Sequence, residues 1–160
     1  MATYQRRTRV AAPLQEVWAF HSTAEGLEAL TPEFLHLEVD RITGPDGRAD
    51  PEVLEAGSTV EASIRPFGVG PRQEWTSRIL ERTEGDGAAM FRDEMTSGPF
   101  PRWEHTHRFF ADGDETVVED RVEYEFPGGP LGAAASPLGV VGLEPMFRHR
   151  HRRTSELLEG

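Results

Sequence analysis

The chain has 160 residues, 37% hydrophobic and 9% aromatic, which suits one domain with a buried core and excludes a disordered chain. Its 28 acidic residues outnumber 17 basic ones, all arginine, and a net charge near −11 would repel nucleic acid or an anionic membrane surface. No apolar run approaches the ~20 residues of a membrane helix, residues 1–10 hold no apolar signal segment, and cysteine is absent.

In chain order, residues 3–11 read as a strand with Tyr4, Arg6, Thr8 and Val10 on one face. Ala12-Pro13 opens a short helix in which Leu14, Val17, Trp18 and His21 fall at helical spacing. A second helix over 24–30 carries Leu27 and Leu30 and stops at Thr31-Pro32. Phe34–Ile42 then alternates as a strand, with Leu35, Leu37 and Val39 inward. His21 and His36 read as surface or capping residues.

A long polar loop, 43–57, precedes a strand over Ser58–Arg65 with Val60, Ala62 and Ile64 inward. After a Gly/Pro turn, Gln73–Arg82 places Gln73, Trp75, Ser77 and Ile79 on one face. Glu84-Gly85-Asp86-Gly87 is a hairpin turn. Ala88–Thr96 returns with Phe91, Asp93 and Met95 together.

Gly98-Pro99-Phe100-Pro101 next turns the chain into its most informative run. There Trp103, His105, His107 and Phe109 alternate with Arg102, Glu104, Thr106 and Arg108. The charged set belongs in water, so two aromatics and two imidazoles face inward, a lining that fits a ligand cavity better than a plain core. Asp112-Gly113-Asp114 makes another hairpin turn. Glu115–Phe126 puts Val118, Asp120, Val122, Tyr124 and Phe126 on one face, with Asp120 among hydrophobes. Pro127–Gly132 reads as a loop, and the tail from Ser136-Pro137 as helix. Its stripe is Leu143, Phe147, Arg150 or His151, Thr154 and Leu158, with Pro145 predicting a kink or a fresh start.

This order (β-α-α-β6-α) predicts an α+β fold: a curved antiparallel sheet of about seven strands wrapped on a long C-terminal helix, with a cavity between. The pattern also resembles a known family. Ala11-Ala12-Pro13-Leu14-Gln15-Glu16-Val17-Trp18, then Phe20-His21 and Leu30-Thr31-Pro32, is similar to the start of the START/Bet v 1-like (SRPBCC) superfamily. Phe91-x-Asp93, Gly98-Pro99-Phe100, Trp103-x-His105-x-His107-x-Phe109 and Thr116-x-x-x-Asp120-x-x-x-Tyr124-x-x-Pro127 resemble its cyclase/dehydrase-like branch. The resemblance spans essentially the whole chain. It implies a helix-grip fold with a hydrophobic-ligand cavity, in a superfamily that includes polyketide cyclases and lipid carriers. Pro145 departs from the uninterrupted final helix of that pattern.

Four inward polar groups are the candidates for chemistry: Asp93, His105, His107 and Asp120. A buried carboxylate needs a partner, and an Asp–His hydrogen bond would fix a tautomer and raise the imidazole pKa. Such a pair could abstract a proton beside a carbonyl, as aldol cyclisation or dehydration requires. It could instead hold a ligand, or only fix strand register. His105-x-His107 with Asp93 or Asp120 has the spacing of a zinc site. With no cysteine and no third inward histidine, however, neither a metal nor a cofactor is assigned.

Trp75, Phe91, Met95, Trp103, Tyr124 and Phe147 read as cavity wall, and Arg150 as either a ligand contact or an exposed cation. The expected function is binding of a small hydrophobic or aromatic molecule in a cytoplasmic protein. The alternatives are a cyclase/dehydrase-like enzyme and an interaction module whose cavity is filled by its own side chains. A lysine-free, acid-rich surface also fits a salt-rich cytoplasm, although GC-rich codon usage yields the same composition.

Overall fold

The computed structural model describes residues 2–159. Among them, seven strands form one antiparallel sheet in the order β1-β7-β6-β5-β4-β3-β2. They are β1 (Ala2–Val10), β2 (Glu38–Thr43), β3 (Thr59–Ile64), β4 (Gln73–Gly85), β5 (Ala88–Ser97), β6 (Arg102–Asp112) and β7 (Glu115–Glu125). Two short helices, α1 (Leu14–His21) and α2 (Ala24–Leu30), follow β1, and α3 (Gly129–Ala135) leads into the long α4 (Val140–Leu158). This is the helix-grip arrangement expected from the order of elements. No helix is long and apolar enough to cross a membrane.

Each strand covers one face with its alternate apolar residues, and the curved sheet needs a lid for that face. On α4, Leu143 and Phe147 bury against Tyr4, Val122 and Tyr124. The helix is also tied to the edge strand by charge: Tyr4 Oη donates to Glu144 at 2.6 Å, and Arg6 pairs with the same carboxylate at 2.6 Å. Pro145 does not break α4. Its missing N–H falls in the second turn, where the orphaned carbonyl belongs to the exposed Val141 and is left to water.

Three local features depart from the strand-and-loop reading of the sequence. Glu33–Leu35 is a 3-10 turn, not strand, and it ends on His36 with φ 49. That left-handed residue reverses the chain, so pairing starts only at Glu38. In β4 the register slips between Ile79 and Glu81. The bulge turns Glu81 outward toward Arg92 and brings Arg82 inward, its guanidinium 4.5 Å from the Trp18 ring. The segment read as a loop before Ser136 contains α3, whose end is tied when Ser136 Oγ accepts from Phe126 N and donates to the Gly132 carbonyl.

Gly132 allows that close turn, since a Cβ there would sit 2.0 Å from the Pro127 carbonyl oxygen. Gly132→Ala is expected to destabilise the protein by about 1–3 kcal/mol through this backbone clash. A urea unfolding midpoint equal to wild type would refute that.

Candidate functional site

The site begins with strand register. Asp93 of β5 lies opposite His105 of β6, and His107 lies opposite Asp120 of β7. All four side chains share the inner face, so hydrogen bonds run diagonally across the rungs. His105 Nε2–H donates to Asp120 at 2.7 Å, and His107 Nε2–H donates to Asp93 at 3.0 Å. The two imidazoles stack with centroids 3.5 Å apart, and His107 stacks on Phe91 at 3.9 Å. Ser77 of β4 donates to the second oxygen of Asp93 at 3.0 Å.

Asp120 is the hub. Besides His105, it accepts from His151 of α4 at 2.5 Å, and His107 Nδ1 lies 3.3 Å from it. Burial alone would raise the Asp120 pKa, but the bonds to His105, His107 and His151 hold it well below the ordinary carboxylate value. Asp93 is also lowered: burial opposes, and His107 overrides it. Burial, reinforced by the charge of His107, pushes His105 down to about 4. For His107 burial acts in the same direction, yet its contacts with Asp120 and Asp93 outweigh burial and raise it. Burial thus holds the His105 imidazole neutral, while its two carboxylate neighbours strengthen the hold of His107 on a proton. With Nε2–H of His105 donated to Asp120, its Nδ1 carries the ring's lone pair; among the described residues, the buried Nδ1 atoms without a hydrogen-bond partner are those of His107 and His151.

These groups form one wall of a cavity of about 280 Å³ between the sheet, α1, α2 and α4. The cavity is also lined by Trp75 from β4, Phe91 and Met95 from β5, Trp103 from β6, and Phe147 and Arg150 from α4. Two expected contacts do not line it. Tyr124 lies on the predicted face, but it is covered there: the Gly139 backbone passes so close that a Cβ would meet its hydroxyl at 2.5 Å. Asp120 sits behind the two imidazoles and reaches the cavity only through them. A recess of about 440 Å³ under the β4–β5 hairpin is lined by Leu14, Trp18 and residues 84–89 and holds no histidine.

The sequence left open whether Arg150 or His151 lies on the apolar stripe and gave His151 no role; the structure buries His151 there, four residues from Phe147 and eight from Leu143, against Asp120. His21, read as a surface or capping group, lines the cavity, with Nδ1–H donating to the Val17 carbonyl at 2.8 Å and its ring 4.8 Å from Phe109. Burial pushes its pKa down to about 3, with Arg150 and His107 adding to the fall and Asp120 opposing it.

A histidine neutral in the fold but free to protonate when unfolded stabilises the fold fully above pH 6.5, and less as pH falls toward 3. Going from pH 7 to 5 should cost about 2 kcal/mol through His21. His105 adds to that slope and His107 opposes it. Unfolding measured from pH 7 to 5 should show a shallower slope in His21→Leu; parallel curves would refute the assignment.

Residues 10–149 match the family model described as polyketide cyclase / dehydrase and lipid transport. The chain belongs to that family. Solved structures share its helix-grip fold. CV1439 from Chromobacterium violaceum superposes with a TM-score of 0.70 at 15% identity, covering 99% of this chain and 97% of that one. Norcoclaurine synthase from Thalictrum flavum, solved with dopamine and hydroxybenzaldehyde, gives 0.65 at 18% identity over 99% and 87%. Ara h 8.0201 gives 0.59 at 10% identity over 96% and 97%. At these identities the likeness is one of fold. No curated protein matches the sequence.

Proposed function

We propose that this family member binds one small hydrophobic or aromatic molecule in the cavity between the sheet and α4. The observation that carries this is the lining: mostly apolar side chains, with titratable groups at Asp93, His105 and His107, at Arg150 and at His21. A volume of about 280 Å³ suits a molecule of one or two rings. The norcoclaurine synthase neighbour, of the same fold, was solved with two single-ring aromatics. Arg150 has no carboxylate partner among the described residues, and its Nε is buried without an acceptor. An anionic or carbonyl oxygen on the ligand would satisfy it.

Native mass spectrometry of tag-free protein, before and after solvent extraction, tests the binding. An excess mass of one small molecule per chain, removed by extraction, supports it. So does one-to-one quenching of Trp75 and Trp103 fluorescence by anilinonaphthalene sulfonate that Leu35→Trp, which adds an indole to the lining, abolishes. A bare polypeptide mass with no quenching up to about 1 mM probe would overturn it.

A second reading, a cyclase/dehydrase-like enzyme, is favoured by one feature. The His105 imidazole, held neutral by burial, stands beside that of His107, whose hold on a proton is strengthened by Asp120 and Asp93, so a base and an acid share the cavity wall. On that reading, turnover of a carbonyl substrate would be lost in the His105→Ala/His107→Ala double variant while the probe still binds. The open cavity speaks against a module filled by its own side chains.

A further inference from the structure

We propose that Asp93, His105 and His107 form a site for one divalent transition-metal ion, of the zinc or ferrous class, open to the cavity. This departs from the expectation of no metal drawn from the sequence. Each of the three residues brings one donor atom to within 4.8 Å of the other two. Ligands of a tetrahedral ion with bonds near 2.0–2.2 Å stand about 3.3 Å apart, and Asp93 Oδ2 and His107 Nε2 already stand 3.0 Å apart. The ion would take the place of the proton between them. His105 would supply Nδ1, the ring nitrogen it does not commit to Asp120. Two imidazoles and a carboxylate are a donor set for borderline ions, and three protein ligands leave positions for an oxygen of the cavity's occupant.

A polar network built only to satisfy itself has no need of a second carboxylate behind the first. Here Asp120 accepts from His105 Nε2–H at 2.7 Å and so orients that imidazole from the side away from the cavity; His107 Nδ1 lies 3.3 Å from it without a hydrogen bond. Asp120 is itself fixed by His151 at 2.5 Å. A carboxylate holding the far nitrogen of a ligating histidine is the outer layer that metal sites use to set tautomer and ring angle. Asp120 and His151 are therefore positioning residues, not ligands. The site stands whether or not an organic ligand fills the apolar part of the cavity.

The test is calorimetric titration of tag-free, chelator-stripped protein with zinc chloride. One ion per chain is expected, bound at micromolar Kd or tighter. Asp93→Asn and His107→Ala should each weaken binding at least tenfold, and Asp120→Asn by about 10–100-fold with all three ligands intact. His149→Ala, on the exposed side of α4, should leave binding unchanged. Should the variants unfold, wild-type protein with cobalt(II) still decides: hyperfine-shifted NMR signals must come from the rings of His105 and His107. No stoichiometric binding tighter than about 100 µM, binding that survives the double histidine variant, or shifts confined to His149 would overturn the proposal.

Discussion

Asp120→Ala is expected to be the most damaging single substitution in the sheet, destabilising the metal-free protein by about 3–5 kcal/mol at pH 7. The carboxylate is 4% exposed and holds histidines from two different elements, β6 and α4. Removing it strands the buried N–H donors of His105 and His151 and leaves His107 with Asp93 as its carboxylate neighbour. Asp120→Asn keeps one acceptor oxygen and should cost less, about 1–3 kcal/mol. Thermal unfolding in the presence of a chelator would show the alanine variant melting roughly 10 °C or more below wild type. The sign with pH is also defined. Because histidine bonds hold the folded pKa of Asp120 below its unfolded 3.8, its contribution is complete above that value. It fades only as pH falls through the depressed one. An alanine variant as stable as wild type would mean that the network contributes nothing to stability.

Phe147→Ala should cost a similar amount, about 3–5 kcal/mol, for a different reason. Phe147 is 1% exposed, lies 5.2 Å from the Tyr4 ring, and meets the His105 ring edge-on at 5.2 Å. It belongs at once to the core under α4 and to the cavity wall. Truncation therefore deletes packing and joins the vacated space to the existing cavity. A small apolar molecule such as benzene should then raise the melting temperature of the variant more than that of wild type, because it binds the enlarged cavity of the folded state alone. Equal shifts in the two proteins would show that the wall had collapsed into the gap.

The legible parts of the sequence were those where one periodicity dominates. β6 and β7 announced themselves because period two set most charged residues on one face and left Asp120 as the exception on the other, beside His105 and His107, with Asp93 added by the alternation of β5. Alternation says which way a side chain points, not what covers it. Tyr124 points inward as read and meets the Gly139 backbone instead of a ligand. In α4, neighbouring positions 150 and 151 both touch the apolar stripe, so helical spacing left open which of the two is buried; it is His151. Bulges and left-handed residues were the other blind spot. Nothing in Ile79-Leu80-Glu81 marks the extra residue that turns Arg82 inward, and His36 takes its φ of 49 from tertiary contacts, not from propensity.

The pairing of β1 with β7 has a consequence for how the chain reaches this state. Among the described residues β1 is an edge strand whose neighbour in the sheet, β7, is the strand farthest from it in sequence. The bond from Tyr4 to Glu144 spans 140 residues. Local hairpins from β2 to β7 can zip in sequence, but β1 and α4 must dock on a surface already formed. Such long-range closure places folding in the slow, millisecond-to-second class. Until it occurs, the inner face of β6, with its imidazoles and aromatics, stands open to solvent. A truncation removing α4 should therefore yield a chain that forms strands yet aggregates, because the element that shields this face arrives last.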